Sequence, residues 1–168
     1  PYIQKNSRFA RLEVPSFEGG VDSILGLHKP THCFTDRAWT FCGENKILDE
    51  IIYFLNFANQ ITKIFYFDSA LVCSIKNALT LDLFKKAASS LKIELREETD
   101  LAEDSLFYEI NDCFGRKWKG PWIRLERQKG GLTRLTESIY GTLQNVIALF
   151  LESERKDLSQ KKDILSRI

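Results

Sequence analysis

The sequence has no methionine, only two histidines and four prolines, and no uninterrupted apolar stretch of the ~18 residues that a membrane-spanning helix needs. We therefore expect no membrane partner. The chain begins at Pro1, and with methionine missing throughout, a processed or truncated start is one interpretation.

Cysteine is also scarce, and its spacing does not fit a disulfide framework. The four cysteines contain no C-x-x-C pair and stand at Cys33, Cys42, Cys73 and Cys113. Such spacing is typical of reduced thiols rather than of a secreted, disulfide-stapled domain. We predict an intracellular, reducing compartment: the cytoplasm, or an organelle matrix if a presequence was removed.

The composition is that of an ordinary globular domain. Of 168 residues, 43% are apolar and 28% charged, with a net charge of +1. A chain of this size buries roughly two-thirds of its unfolded surface and needs no metal or disulfide to fold. The near-neutral charge does not by itself select a polyanionic partner.

Hydrophobic periodicity predicts both helices and strands. Helical spacing covers Glu44–Ile61, Leu79–Leu91 and Thr133–Arg167. Strand-like runs cover Lys63–Asp68, Ala70–Ile75, Ile93 to Leu95, Leu106–Ile110 and Arg116–Arg127, the last broken at Gly120-Pro121. Neighbouring strands joined by short turns favour an α+β fold, with an antiparallel sheet flanked by helices.

Four segments resemble the catalytic domain of class II aminoacyl-tRNA synthetases, and the threonyl enzyme most of all. They are Arg8 to Leu12 (RFARL), Trp39 to Cys42 (WTFC), Asp112 to Arg116 (DCFGR) and Thr136 to Asn145 (TESIYGTLQN). The resemblance implies a truncated class II catalytic core over residues 1–152. It leaves 153–168 as a charged C-terminal helical extension, which either docks on a partner or projects into solvent.

The resemblance also implies that the ATP-binding residues are replaced. The arginine that grips ATP corresponds to Phe17, and its neighbouring acid is either kept as Glu18 or lost to Gly19. One of two loop arginines becomes Lys29, and the glutamine that approaches ATP becomes Lys119. The arginine that stacks on adenine corresponds to Asn145.

The family's threonine-sensing zinc site is altered in the same way. Two of its histidine ligands correspond to Trp39 and Thr136, and neither indole nor hydroxyl is an ordinary zinc ligand. A separate zinc site built from His28, His32, Cys33 and Cys42 is an alternative, although the spacing matches no standard finger. We predict no metal and no cofactor.

A basic, aromatic segment lies in the second half of the chain. Its members are Arg116, Lys117, Trp118, Lys119, Trp122, Arg124, Arg127, Lys129 and Arg134, with Glu126 as the one acid among them. Cations for phosphates and rings for bases are typical of a nucleic-acid surface. In a regular strand, Arg116, Trp118, Trp122 and Arg124 share one face. One alternative is an edge strand protected by charge, with both indoles lying over the helices. Another, which we favour, is that the indoles fill the emptied ATP pocket.

Taken together, these features predict a catalytically inactive threonyl-tRNA-synthetase-like module. It acts as a binding or accessory subunit with a protein partner or a second copy, and tRNA or another nucleic acid is a candidate ligand. The competing hypothesis is a divergent but active ATP-dependent ligase. Its phosphate-binding arginine is Arg8, Arg11, Arg37 or Arg124. The acidic run from Glu97 to Asp104 is interpreted as a solvated turn.

Overall fold

The computed structural model describes residues 7–13, 35–65, 67–98, 103–112, 115–128, 130–139, 146–147 and 149–151. The strands are β1 (Ser7–Glu13), β2 (Thr35–Gly43), β3 (Ser69–Ser74), β4 (Leu95–Glu98), β5 (Ser105–Asn111), β6 (Lys117–Gln128) and β7 (Leu132–Ser138). The helices are α1 (Ile47–Ile64), preceded by a 3-10 turn at Glu44–Lys46, and α2 (Ala78–Ser90). Residues 146–147 and 149–151 are also helical. The predicted extension at 153–168 lies outside the described residues.

The seven strands form one sheet in the order β1-β2-β7-β6-β5-β3-β4. The α+β class is thereby confirmed, but the sheet is mixed rather than wholly antiparallel, because β3 and β4 run parallel. The reason is α2, which connects these two strands. A parallel neighbour requires a crossover of about a dozen residues, and a helix supplies it.

One face of the sheet carries the core. The apolar stripe predicted for α1 is confirmed: Ile47, Ile51, Phe54, Leu55 and Ala58 are all buried. It packs in one cluster with Phe84 of α2 and with inward-facing sheet residues, among them Leu71, Leu106, Ile123 and Leu135. In the described part of the chain, no helix combines the length and apolarity needed to cross a bilayer.

The interpretation of Glu97 to Asp104 as a solvated turn is wrong at the two ends of the run, and residues 99–102 lie outside the described residues. Glu97 and Glu98 belong to β4. The Asp104 carboxylate accepts hydrogen bonds from the backbone N–H groups of Lys76 (2.6 Å) and Asn77 (2.9 Å), and from the Thr80 hydroxyl (3.1 Å). Asp104 thus satisfies donors at the start of α2 that have no partner within the helix.

The predicted helix Thr133–Arg167 is also wrong at its start, since β7 extends through Ser138. β7 pairs with β2 on one side and β6 on the other. Backbone hydrogen bonds to two strands, and the β-branched Thr133 and Thr136, outweigh the helical spacing of the apolar residues. Helical periodicity applies only further along the chain, where Val146 and Leu149 are helical and their side chains are buried.

The strand predicted at Lys63–Asp68 does not form, because α1 continues to Ile64. The aromatic residues whose alternation suggested a strand instead pack together at the end of α1. Phe65 stacks on Phe67, with ring centroids 5.5 Å apart, and meets Phe150 edge-on at 5.8 Å. The rings therefore attach the C-terminal helical residues to the end of α1.

Candidate functional site

The sheet face opposite α1 and α2, here called the far face, holds most of the candidate residues that the structure describes. Side chains alternate along a strand, so the neighbours of the buried Cys42, Leu135 and Leu125 point away from the helices. Trp39 pairs directly with Thr136, and Thr136 with Arg124. These three residues therefore form a continuous row across β2, β7 and β6.

A bulge in β6 decides which other side chains reach the far face. Lys119 pairs with Glu109 and Trp122 with Phe107, so Gly120 and Pro121 together stand opposite Tyr108 alone. The extra residue shifts the alternation. β6 does not break as predicted; instead Lys119 joins Trp122 on the far face, while Trp118, opposite Ile110, takes the other face. The prediction that both tryptophans share a face is wrong.

Gly120 is required by close packing. A Cβ at this position lies 2.6 Å from Cδ1 of Ile110 and 3.2 Å from the carbonyl oxygen of Tyr108. These distances are shorter than van der Waals contact allows. The glycine that looked like a strand breaker in the sequence therefore lets β5 and β6 approach at the bulge.

Asp112, at the start of the DCFGR segment, organises the turn between β5 and β6. The fully buried Asp112 side chain accepts hydrogen bonds from the Arg116 backbone N–H (2.8 Å) and Trp118 Nε1 (2.9 Å), and it also forms an ion pair with the Arg116 guanidinium. Gly115 has φ +77°, a conformation that favours glycine. Arg116 also lies over the Trp118 ring, 5.5 Å from its centroid.

Carboxylates from neighbouring elements neutralise the central cations of the far face. Nη2 of Arg124 lies 2.7 Å from the Glu103 carboxylate, and its Nη1 lies 3.7 Å from Glu126. Glu126 also pairs closely with Arg134. The basic segment contains one acid in its own sequence, Glu126. Folding adds a second, Glu103, from the loop that precedes β5.

Lys119 is held between aromatic rings. Its Nζ lies 4.9 Å from the ring centroid of Phe107 and 5.4 Å from that of Trp122, and Arg124 lies 5.7 Å from the Trp122 ring. Burial lowers the pKa of Lys119, with Arg124 adding to the effect and Glu103, 4.0 Å away, opposing it. The two rings attract the ammonium group by cation–π interaction.

A second neutralised group lies towards the β4 edge. The buried Glu109 carboxylate contacts Arg96 at 2.8 Å and Lys117 at 3.0 Å. Burial works to raise the pKa of Glu109, but hydrogen bonds and attraction from Arg96 and Lys117 outweigh it and leave the pKa below its ordinary value. Lys117, predicted as a nucleic-acid contact, thus has an internal partner.

The remaining members of the predicted interface are dispersed. Arg127 Nη1 donates to the hydroxyl of Thr80 at 3.1 Å, which places it by the α2 N-terminus rather than on the far face. Lys129 lies outside the described residues. The structure therefore gathers Lys117, Lys119, Trp122, Arg124 and Arg134 on one face, and separates Arg116, Trp118 and Arg127 from them.

The resemblance assigns several positions to zinc and ATP contacts. Those among the described residues lie on the far face. Trp39 and Thr136 are direct cross-strand partners, and Lys119 lies further along β6. Phe17, Glu18, Lys29 and Asn145 lie outside the described residues, as do three of the four alternative zinc ligands. The fourth, Cys42, is buried against the helices. Among described residues, no group of three or more histidine, cysteine or acidic side chains is arranged for a metal.

Asp36 is a residue whose role the sequence did not reveal. Its carboxylate accepts hydrogen bonds from the Ser138 hydroxyl (2.9 Å) and the Ile139 backbone N–H (2.7 Å). It joins the start of β2 to the end of β7. No pattern in the sequence marked this aspartate, because a carboxylate that holds two strands together has no local signature.

No model of a known protein family matches the sequence, and no curated protein is detectably similar to it. Solved structures do share its fold. One, described as the RNA-binding domain of threonyl-tRNA synthetase from Cryptosporidium parvum Iowa II, superposes with a TM-score of 0.75 at 18% identity, covering 89% of this chain and 45% of that one. The fold is threonyl-tRNA synthetase-like.

A second structure gives the same result. The protein assigned as threonyl-tRNA synthetase ThrRS-1 from Aeropyrum pernix superposes with a TM-score of 0.73 at 11% identity, covering 91% of this chain and 43% of that one. At these identities the similarity concerns the fold alone. The present chain spans less than half the length of either synthetase-like chain.

Proposed function

We propose that this chain is a catalytically inactive module derived from the class II threonyl-tRNA synthetase core, and that it acts by binding RNA within a larger assembly. The observation that carries the proposal is the pairing of Trp39 with Thr136 on the far face. Two positions that the resemblance assigns to zinc-binding histidines lie side by side in space. Neither holds a metal-binding group.

Loss of catalysis is supported by the state of the cations near this pair. Amino-acid activation by ATP needs positive charge directed at the phosphates. Arg124 lies beside Thr136 on the far face, but Glu103 and Glu126 occupy its guanidinium. Binding a triphosphate there requires breaking a 2.7 Å charge-assisted contact, which costs much of the affinity it would supply.

RNA binding is supported by the same face and by the Cryptosporidium structure, which is described as an RNA-binding domain. Lys119 and Arg124 lie next to the indole of Trp122, and Arg134 lies further along the same face, opposite Glu126. A phosphate backbone can compete with Glu103 and Glu126 for these cations. Because the carboxylates oppose it, we expect modest affinity with a clear salt dependence.

The test is fluorescence anisotropy with the full chain, using a labelled tRNA and a labelled 20-nucleotide single strand at 50 and 200 mM salt. Replacing Lys119 and Arg124 together by alanine is expected to weaken binding about tenfold or more. The matched control replaces Lys85 and Lys86 by alanine, which removes two positive charges from α2 and leaves the far face intact. Equal affinity of both double variants contradicts the proposal.

Arg124 also supports the second candidate, an active ATP-dependent ligase. Of the four substitute arginines, Arg8 is on the helix side of the sheet, where it pairs with Glu50 at 2.7 Å. Arg11 and Arg37 face each other across β1 and β2, and Arg124 is the one in the row with Trp39 and Thr136. Pyrophosphate exchange with ATP and each amino acid separates the two functions. We expect none above background; exchange abolished by Arg124→Ala establishes the ligase.

A protein partner is supported by exposed apolar side chains along α1. Tyr53, Phe57 and Ile64 are 64%, 45% and 47% exposed, at helical spacing. Such a stripe is typical of a surface that a partner covers. Replacing Phe57 and Ile64 by serine is expected to reduce the mass, measured by light scattering, of the complex that the chain forms with its partner in the native source. Leu79→Ser on α2, where the residue is 70% exposed, serves as control.

A further inference from the structure

A small cleft lies on the helix side of the sheet, away from the proposed RNA surface. It occupies about 270 Å³ between α1 and strands β1, β2 and β7. Ala10 pairs with Ala38, and Ala38 with Glu137, so two small side chains form its floor beside a carboxylate. The volume is just below the ~300 Å³ at which pockets for drug-sized ligands begin. Only a small molecule fits.

The charges around this cleft do not balance. Arg8 on β1 donates to both carboxylate oxygens of Glu50 on α1, at 2.8 and 2.7 Å, and its guanidinium lies 5.4 Å from the Tyr53 ring centroid. Arg8 and Glu50 therefore neutralise each other. Among the described residues, no cation forms an ion pair with Glu137 on β7, so it remains as a second carboxylate at the cleft.

Glu137 has little internal compensation for its charge. Its one hydrogen bond to a described residue comes from the hydroxyl of Thr40 on β2, at 3.4 Å, which is close to the limit for such a bond. Burial raises the pKa of Glu137 to about 7, and the charge of Glu50 adds to the effect, while Thr40 and Arg8 oppose it. A half-buried carboxylate with so little internal compensation favours the binding of a cation from solution.

We infer that the cleft binds a small organic ammonium ion, whose N–H groups donate to Glu137 while its short apolar tail lies over Ala10 and Ala38. Tyr53 also lines the cleft, with Arg8 over its ring. A divalent metal fits less well, since it takes six or more oxygen ligands and the described acidic side chains form no such group. This site is independent of the far face.

Propylammonium is the probe, titrated into the full chain with binding followed by ¹H–¹⁵N chemical shifts. 1-Butanol is the neutral control of similar shape. We expect saturable binding of the amine alone. Glu137→Gln, which keeps the shape and removes the charge, weakens it about tenfold or more; Asp82→Asn on exposed α2 changes it less than about twofold. Butanol binding as tightly as the amine, or Glu137→Gln binding unchanged, overturns the inference.

The pH profile provides a second readout. The amine stays charged between pH 6 and 8, because its pKa is near that of lysine, ~10.4. Affinity should therefore rise about tenfold over this range as Glu137 ionises, with a midpoint about 7. If Glu137→Gln does not fold, Ala38→Leu fills the cleft and retains the carboxylate. Binding that survives this replacement, or a flat pH profile, also overturns the inference.

Discussion

The indole N–H of Trp118 donates a 2.9 Å hydrogen bond to Oδ2 of Asp112, whose side chain is fully buried. This contact fixes Trp118 at the β5–β6 turn, on the face opposite Trp122. Trp118 is therefore part of the turn's support. Within β5 and β6, the aromatic surface on the far face is that of Trp122 and Phe107, with Lys119 beside both.

Replacing Asp112 by alanine is expected to destabilise the chain by about 3 kcal/mol, because the change leaves the donors of Arg116 and Trp118 without their acceptor. Chemical denaturation in urea measures the loss. Asp82→Ala, which removes one member of an exposed pair with Lys86, is the control and should cost less than about 0.5 kcal/mol. Equal effects of the two variants would show that the buried carboxylate is not a structural anchor.

Gly120→Ala should destabilise the chain by about 1–3 kcal/mol, since the new methyl group meets Ile110 and the backbone of Tyr108. Ile110→Val removes the nearest atom, Cδ1, so the double variant should recover part of the loss. Gly43→Ala is the comparison, because φ of Gly43 is −75° and its nearest neighbour is the terminal amide of Asn45. Thermal unfolding of the three variants decides whether the bulge depends on glycine.

The stability of the fold should fall as the pH rises from about 4.5 to about 7 through the contribution of Glu137. Its carboxyl has a raised pKa in the folded chain, so the folded state holds the proton over a range in which the unfolded state has lost it. The contribution is on the order of 1–3 kcal/mol. Urea midpoints at pH 5 and pH 8 measure the change, and Glu137→Gln should flatten it. If the urea midpoint of the variant changes with pH as much as that of the parent chain, the pH dependence belongs to other groups.

Glu103→Gln should strengthen RNA binding about threefold or more and steepen its salt dependence, because it releases Arg124 and removes a charge that repels phosphate. The measurement is anisotropy at 50 and 200 mM salt. Glu97→Gln removes an equal charge near α2, where Glu97 pairs with Lys85 at 2.7 Å, and should change affinity little. A similar gain in both variants would indicate a general charge effect rather than a site.

Cys42 and Cys73 should resist alkylation in the folded chain. Burial raises the pKa of each thiol to about 11, and both side chains are inaccessible to solvent. Few thiolates then exist at pH 8, and the thiolate is the reactive form. Iodoacetamide labelling followed by peptide mass mapping should modify neither residue until urea is added. Labelling of either one without denaturant would contradict the burial that places these thiols in the core.

Local patterns predicted the elements whose stability comes from one apolar stripe. The spacing of Ile47, Ile51 and Leu55 located α1, and alternation between Leu106 and Ile110 located β5. Patterning failed where long-range pairing decided the outcome. β7 is a strand because β2 and β6 bond to both its edges, and no short window of sequence contains that information.

The candidate site shows the same division. The sequence by itself determined that cations and indoles concentrate in β6, because residue identity is local chemistry. The replacement of metal-binding side chains by Trp39 and Thr136 is implied by the resemblance and stays a prediction. The tertiary structure decided which of these residues lie together. The bulge at Gly120 and Pro121 turned Lys119 towards Trp122 and Trp118 away from it, and Glu103 reached Arg124 through a loop. Strand register and charge pairing depend on residues far apart in the chain, so only the folded protein fixes them.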